Sequence, residues 1–200
     1  MGYTFFCPTK FIVSEDAAED LVRELGEPAD GLIFVLTDPG IIKAGIVEPM
    51  NEKMRQAGFE LVVYSDVPGN PNIPDVHAAM AALDGKKPAK LVALGGGSVI
   101  DTAKAAAILL ADDDLDYEEV QWRRATITKG SLPLIAVPTT AGTGSEMTHV
   151  TVIGDSKGFK MGVVHEAVFT NAAILDGNLM LSLPAKLTAA TGMDALVHAI

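Results

Sequence analysis

The chain has 200 residues, 48% of them hydrophobic and 20% charged, and a formal net charge of −11. That length holds one good core or two small ones, and the acidic balance excludes nucleic acid and anionic membrane as partners, since both need a basic face. One cysteine, Cys7, excludes an intrachain disulfide and a cysteine-based metal cluster, so a packed thiol in a reducing compartment is expected. The start of the chain has no basic stretch followed by a long apolar one, and no apolar run reaches the ~18 residues of a membrane span. A cytoplasmic protein is the expectation.

Residues 5–13 read as an edge strand or extended arm interrupted by Pro8. Helical spacing follows over 15–25, with Ser14 as N-cap and Gly26 as the stop. Residues 31–36 suit a buried strand ending at Thr37-Asp38-Pro39-Gly40, and a helix is predicted from there to about Ala57. A third apolar run, Leu61-Val-Val-Tyr64, leads into a Pro/Asn loop over 67–74 and then a helix through Leu83. Leu91-Val-Ala-Leu94 suits a central buried strand that runs straight into Gly95-Gly96-Gly97, and Ser98 opens a segment of helical composition. The run Asp112-Asp113-Asp114 reads as solvation of that helix's end. Leu134-Ile-Ala-Val-Pro138 is the next strand, ending at Thr139-Thr140. Beyond it, residues 148–152 and 160–164 flank a turn at 154–158 and predict a hairpin, and 173–176 form a short strand. From Pro184 the chain is helical to Ile200 with no Gly, Asn or Pro stop, the pattern of a truncated chain.

Strands alternating with helices at this spacing predict an α/β fold: a Rossmann-like parallel sheet with helices on both faces. A β-hairpin and the start of a helical second domain are added to it. The division predicted is an α/β dinucleotide-binding domain over residues 1–180, with 181–200 the first helix of an all-helical metal and catalytic domain.

Ligands of such sheets bind outside the carboxyl ends of the strands, where three candidate turns lie. The strand–glycine–helix passage at Gly95-Gly96-Gly97-Ser98 offers free backbone N–H groups and the positive end of a helix dipole, which favour a phosphate. Glycine is expected there because a Cβ would hold an anion off the backbone; a close strand-to-helix turn without a ligand is the competing reading. The stretch Pro138-Thr-Thr-Ala-Gly-Thr-Gly-Ser145 gathers the hydroxyls of Thr139, Thr140, Thr143 and Ser145 among two glycines. That density suits a ribose, pyrophosphate or carboxamide, against a turn that bonds its own backbone. Asp38 closes a strand where a carboxylate accepts from ribose hydroxyls and repels a 2′-phosphate, favouring NAD over NADP; an Asp-Pro-Gly turn that bonds its own backbone competes. Asp194 and His198 stand four apart on a helix and share a face, a spacing that suits either two ligands of a divalent metal or a simple i,i+4 hydrogen bond. His77, His149 and His165 show no ligand spacing.

Together, Gly95-Gly-Gly-Ser-Val-Ile-Asp-Thr-Ala-Lys104, Pro138-Thr-Thr-Ala-Gly-Thr-Gly-Ser-Glu146 and Leu187-Thr-Ala-Ala-Thr-Gly-Met-Asp-Ala-Leu-Val-His-Ala-Ile200 resemble the iron-containing (group III) alcohol dehydrogenase family. The match runs in order over nearly the whole chain. It implies an NAD(P)-dependent, metal-dependent oxidoreductase interconverting an alcohol and an aldehyde or ketone, with NAD ahead of NADP and Fe(II) or Zn(II) as metal. By motif position it implies pyrophosphate contacts from Gly96, Gly97, Ser98, Val99, Ile100 and Asp101. Thr139, Thr140 and Thr143 would line the cofactor crevice with Asn70 and Val152 close by; Lys160 and Leu179 would face the cofactor, and Asp194 and His198 would be two of four metal ligands. Val150 is expected at the substrate pocket, and a homodimer is implied for the full-length form. The sequence departs from the family at 11–15 and at Asp176-Gly-Asn-Leu179. The other two family ligands are histidines of the helical domain, beyond Ile200, so negligible turnover by these 200 residues alone is expected. A non-catalytic dinucleotide-binding module and a related polyol or polyol-phosphate dehydrogenase are the alternatives.

Overall fold

The computed structural model describes Gly2 and residues 4–200. Its strands are β1 (Lys10–Val13), β2 (Ile33–Leu36), β3 (Leu61–Tyr64), β4 (Lys90–Gly95), β5 (Leu134–Pro138), β6 (Val150–Gly154), β7 (Lys160–Val164) and β8 (Ala172–Leu175). Six of them build one sheet in the order β1-β8-β5-β4-β2-β3, every neighbouring pair parallel, while β6 and β7 pair as an antiparallel hairpin. The helices are α1 (Ala17–Leu25), α2 (Pro39–Lys43), α3 (Val47–Gln56), α4 (Ile73–Ala81), α5 (Gly97–Ala111), α6 (Tyr117–Gln121) and α7 (Ala185–Ala199). The expected parallel α/β sheet with an added hairpin is the architecture found.

A sheet covered on both faces needs strands that are apolar at every position, because alternate side chains enter different cores. On one face Phe34, Leu36, Leu91, Ala93, Leu134 and Ala136 pack with α4, α5, α6 and the hairpin. On the other Ile33, Val35, Val92, Leu94, Ile135 and Val137 pack with α1 and α3. Ten residues of α5 are buried, since this helix lies between the sheet and the hairpin and is enclosed all round. The hairpin is tied in turn to the loop before α4, where the Gly154 N–H donates to the Pro71 carbonyl at 2.9 Å.

Several boundaries differ from the sequence reading for local reasons. Asp16 caps α1, accepting from the Glu19 N–H, while Ser14 sits two residues upstream and accepts from the Asp16 N–H. The single helix predicted up to Ala57 is two, because Gly45 takes a left-handed φ of 74° between α2 and α3. The first hairpin strand begins at Val150, two residues later than expected. The short α6, capped by Asp116, has too few turns to show helical periodicity in the sequence. Among the described residues no helix is long and apolar enough to cross a membrane.

Chain direction in the sheet fixes where a ligand fits. From β2 the chain first moves outward to β3, then returns to place β4 on the other side of β2. That reversal opens a crevice above the carboxyl ends of β2 and β4. Over it stands α7, no residue of which is fully buried; only Thr191 and Asp194 are half-buried.

Candidate functional site

A cleft of about 1000 Å³ lies over those strand ends. Its floor is Thr139 after β5, Gly96 after β4 and the first turn of α5 through Val99. One wall is Asp38 and α2, another the 66–69 segment, and the third Leu179, Leu183, Leu187 and Thr191. Of the residues expected at a cofactor site, Asp38, Gly96, Gly97, Ser98, Val99, Thr139, Thr140, Thr143 and Leu179 all line this space.

Each lining group has a local cause. Asp38 is the N-cap of α2, its Oδ1 accepting from the Gly40 N–H at 2.7 Å and the Ile41 N–H at 3.1 Å. Gly96 is the N-cap of the 15-residue α5 and makes no side-chain cap bond; its carbonyl accepts from the Val99 and Ile100 N–H groups, so Gly97 and Ser98 are the first-turn residues at the cleft whose N–H groups no side chain caps. The glycines have a steric cause within the protein itself. A Cβ at Gly95 would lie 2.5 Å from Val99 Cγ2, and one at Gly97 would lie 2.8 Å from both Cγ2 and Oγ1 of Thr143. The Thr loop therefore rests on the backbone of the glycine turn. Gly144 lets that loop turn back with a φ of 61°, and Gly142 admits α7, since a Cβ there would lie 2.6 Å from the Thr191 carbonyl oxygen.

The four hydroxyls gathered in the Thr loop are used differently. Ser145 is buried and donates to Asp101 Oδ1, away from the cleft. Thr143 Oγ1 accepts from the Ser145 N–H at 3.2 Å, the self-bonding of a turn. Thr139 Oγ1 is buried and without a hydrogen-bond partner among the described residues, and so is Thr37 Oγ1 at the end of β2. Thr139 is a residue of the cleft floor, and its orphaned hydroxyl fits a polar ligand that completes it, whereas Thr37 lies outside the cleft lining. Ser98 Oγ donates to the Gly69 carbonyl at 2.7 Å and so fastens the wall loop, leaving its backbone N–H for a ligand.

Five expected residues stand outside the cleft lining. Ile100 is buried in the sheet-side core. Asp101 turns toward the hairpin, where its Oδ2 accepts from the Val152 N–H at 3.0 Å. Burial holds the Asp101 carboxyl above its ordinary pKa despite its bonds from Ser145 and Val152 and the nearby Lys104 and Lys160. Val152 meets Asp101 only through its backbone, and Lys160 Nζ donates to Asn70 Oδ1 at 2.6 Å, bridging hairpin and wall loop. Val150, expected at a substrate pocket, presents its backbone carbonyl to Lys104 at 2.9 Å.

Lys104 itself is a residue that sequence reasoning passed over. Its ammonium is buried and donates to the carbonyls of Ser145 (2.6 Å), Thr148 (2.8 Å) and Val150 (2.9 Å). Burial lowers its pKa to about 8, while Asp101 and Glu146 act to raise it. One lysine amid the otherwise apolar run Ala103–Leu110 was the available signal, because a helix that is apolar all round has no solvent face for a charge.

On α7, His198 Nε2 lies 3.6 Å from Asp194 Oδ1, with the histidine two-thirds exposed. One oxygen and one nitrogen donor a turn apart fit two positions of a divalent-cation site. Among the described residues no group of three or more potential metal ligands occurs.

The sequence profile of the family described as iron-containing alcohol dehydrogenase matches residues 8–177. Sulfoacetaldehyde reductase of Bilophila wadsworthia is 34% identical over 203 residues, covering 100% of this chain and 51% of the reductase. Long-chain-alcohol dehydrogenase 1 of Geobacillus thermodenitrificans is 40% identical over 187 residues, or 92% of this chain and 47% of that protein. The chain thus spans about half the length of the curated relatives it matches. The crystal structure of NADH-dependent butanol dehydrogenase A from Thermotoga maritima superposes with a TM-score of 0.90 at 29% identity, covering 98% of this chain and 50% of that one. Sulfoacetaldehyde reductase from Bifidobacterium kashiwanohense in complex with NAD+ superposes with a TM-score of 0.88 at 30% identity, covering 100% of this chain and 52% of that one. With the match running through the glycine turn and the Thr loop that build the cleft, the chain belongs to the iron-containing alcohol dehydrogenase family.

Proposed function

We propose that this chain is the dinucleotide-binding part of an alcohol dehydrogenase that transfers a hydride between a small alcohol and NAD. The carrying observation is the convergence of Asp38, the uncapped first turn of α5 and Thr139–Thr143 around one cleft at the sheet's switch point. The N–H groups of that turn hold the pyrophosphate. Asp38, with its Oδ1 committed to the cap, accepts from the adenosine ribose through its other oxygen. The hydroxyls of Thr139 and Thr140 and the wall from Leu179 to Thr191 orient the nicotinamide half. Lys160, tethered to Asn70, brings a positive charge to the hairpin edge of the pyrophosphate side. When bound, NAD supplies the hydride acceptor at nicotinamide C4 and a divalent cation supplies Lewis-acid polarisation of the substrate oxygen. Asp194 and His198 would hold that cation together with ligands from outside this chain, and residues 181–200 begin the unit that carries it. Alcohol oxidation releases the hydride to NAD and a proton to solvent, giving the carbonyl product. Two ligands alone bind such a cation weakly, so these 200 residues by themselves are expected to bind nucleotide with negligible turnover.

Calorimetric titration with NAD and with NADP tests the reading. NAD is expected to bind ahead of NADP, and Asp38→Ser, which keeps a capping oxygen but removes the charge, should narrow the preference by roughly tenfold. Equal affinities in the unaltered chain would remove Asp38 from the ribose, and no binding of either would remove the cofactor from the cleft.

A further inference from the structure

We propose that Lys104 and Asp101 are the positioning residues of the cofactor cleft, fixing the 143–152 segment onto α5 and so setting where Thr143 stands over Gly97. The proposal rests on the dinucleotide reading of that cleft. Lys104 belongs to a helix turned inward on all sides, a place from which an ammonium is ordinarily excluded unless every proton finds an acceptor. Here each of its three protons does, on the carbonyls of Ser145, Thr148 and Val150. The three acceptors run from Ser145 at the end of the Thr loop, through Thr148, to Val150 at the start of β6, so one ammonium ties the Thr loop to the hairpin.

Asp101, one turn earlier on α5, grips the same connection at both ends. Its Oδ1 takes the Ser145 hydroxyl and its Oδ2 takes the Val152 N–H. Its own backbone carbonyl accepts from Thr151 Oγ1 at 2.9 Å. Ser145 is the shared point, held by Asp101 through its hydroxyl and by Lys104 through its carbonyl. The Ser145 N–H then donates to Thr143 Oγ1, and Thr143 rests against Gly97. The contacts form a closed circuit: from the second turn of α5 through Ser145 and Thr143 back to its first turn, which lines the cleft. A loop held this way loses its freedom during folding, so little ordering remains to oppose ligand binding. Neither carboxylate nor ammonium lines the cleft, so both act through other residues.

The experiment titrates NAD and AMP calorimetrically at about pH 7 into the unaltered chain, Lys104→Met and Ser145→Ala, and follows amide hydrogen exchange without ligand. AMP probes the Asp38 side and the first turn of α5, whereas only NAD also needs the Thr loop that the circuit positions. For Lys104→Met the expected result is a loss of at least about tenfold in NAD affinity with AMP affinity held within about twofold. Faster exchange should be confined to residues 143–152, with β4 and β5 still protected. Ser145→Ala should move the same readouts in the same direction by less. Unchanged NAD affinity in a folded Lys104→Met chain overturns the proposal, and so does an equal loss of AMP and NAD, which marks general loosening. Should Lys104→Met fail to fold, Ser145→Ala decides, and unchanged NAD affinity there overturns it. If the unaltered chain binds no NAD, the cofactor reading fails instead. The exchange arm then decides alone, unchanged protection of 143–152 in both variants counting against the proposal.

Discussion

Gly97 shows how little room the cleft leaves for a side chain. An alanine there would set its methyl 2.8 Å from Thr143, tighter than real contacts allow, so the Thr loop or the glycine turn must move. Gly97→Ala is expected to destabilise by about 1–3 kcal/mol, the usual size of overpacking. Adding Thr143→Ala removes the two nearest atoms and should recover part of it, a coupling that urea denaturation of the single and double variants measures. Gly97 was legible as part of a turn but its cause was not, because the side chain it accommodates, Thr143, lies 46 residues away in sequence. The partners of Lys104 and Asp101 were hidden for a related reason. In a motif after a glycine turn a carboxylate reads as a ligand group and a lysine as a surface charge. Only the hairpin laid over α5 makes both of them internal. Thr139 and Asp38 were readable because their places at strand ends follow from the strands themselves.

Among the longer helices, α7 alone buries no residue fully. Its Thr191 stands against Gly142 of the Thr loop. There a Cβ would meet a backbone oxygen at 2.6 Å, which no rotamer change relieves. Gly142→Ala is therefore expected to displace α7 from the Thr loop while the sheet stays intact. Hydrogen exchange reads this as faster exchange over Ala185–Ala199 with β4 and β5 unchanged. The helix itself was plain in the sequence, as were β3 and β5, since each is a run of one composition bounded by turn residues. The break between α2 and α3 was hidden because apolar spacing continues across Gly45, and only the left-handed backbone there separates the two.

For the molecule as a whole, the buried ammonium sets an unusual response to pH. Lys104 titrates near pH 8 when folded and near its ordinary value of 10.5 when unfolded. Between those values the unfolded chain binds the extra proton, so stability rises with pH. The penalty of the buried charge is present in full below about pH 8 and is relieved above it. Above about pH 10 the trend should reverse, because burial raises the pKa values of Tyr64 and Tyr117 and their neutral forms favour the folded state. Urea denaturation at about pH 7.5 and 9.5 should show a gain on the order of 1–2 kcal/mol that is absent in Lys104→Met. The parallel α/β class was readable from the alternation of strands and helices. The order of strands was not, since periodicity reports each strand's faces and not its neighbours. One such neighbour relation has a temporal side. β1 pairs with β8, Lys10 opposite Ala172, so during synthesis β1 waits for β8 before its backbone is matched on that side. At ordinary elongation rates the wait is on the order of 10 s. During that time Phe11 and Val13 lie on an unmatched edge, and synthesis is when the nascent chain most depends on chaperones to keep that edge from other chains.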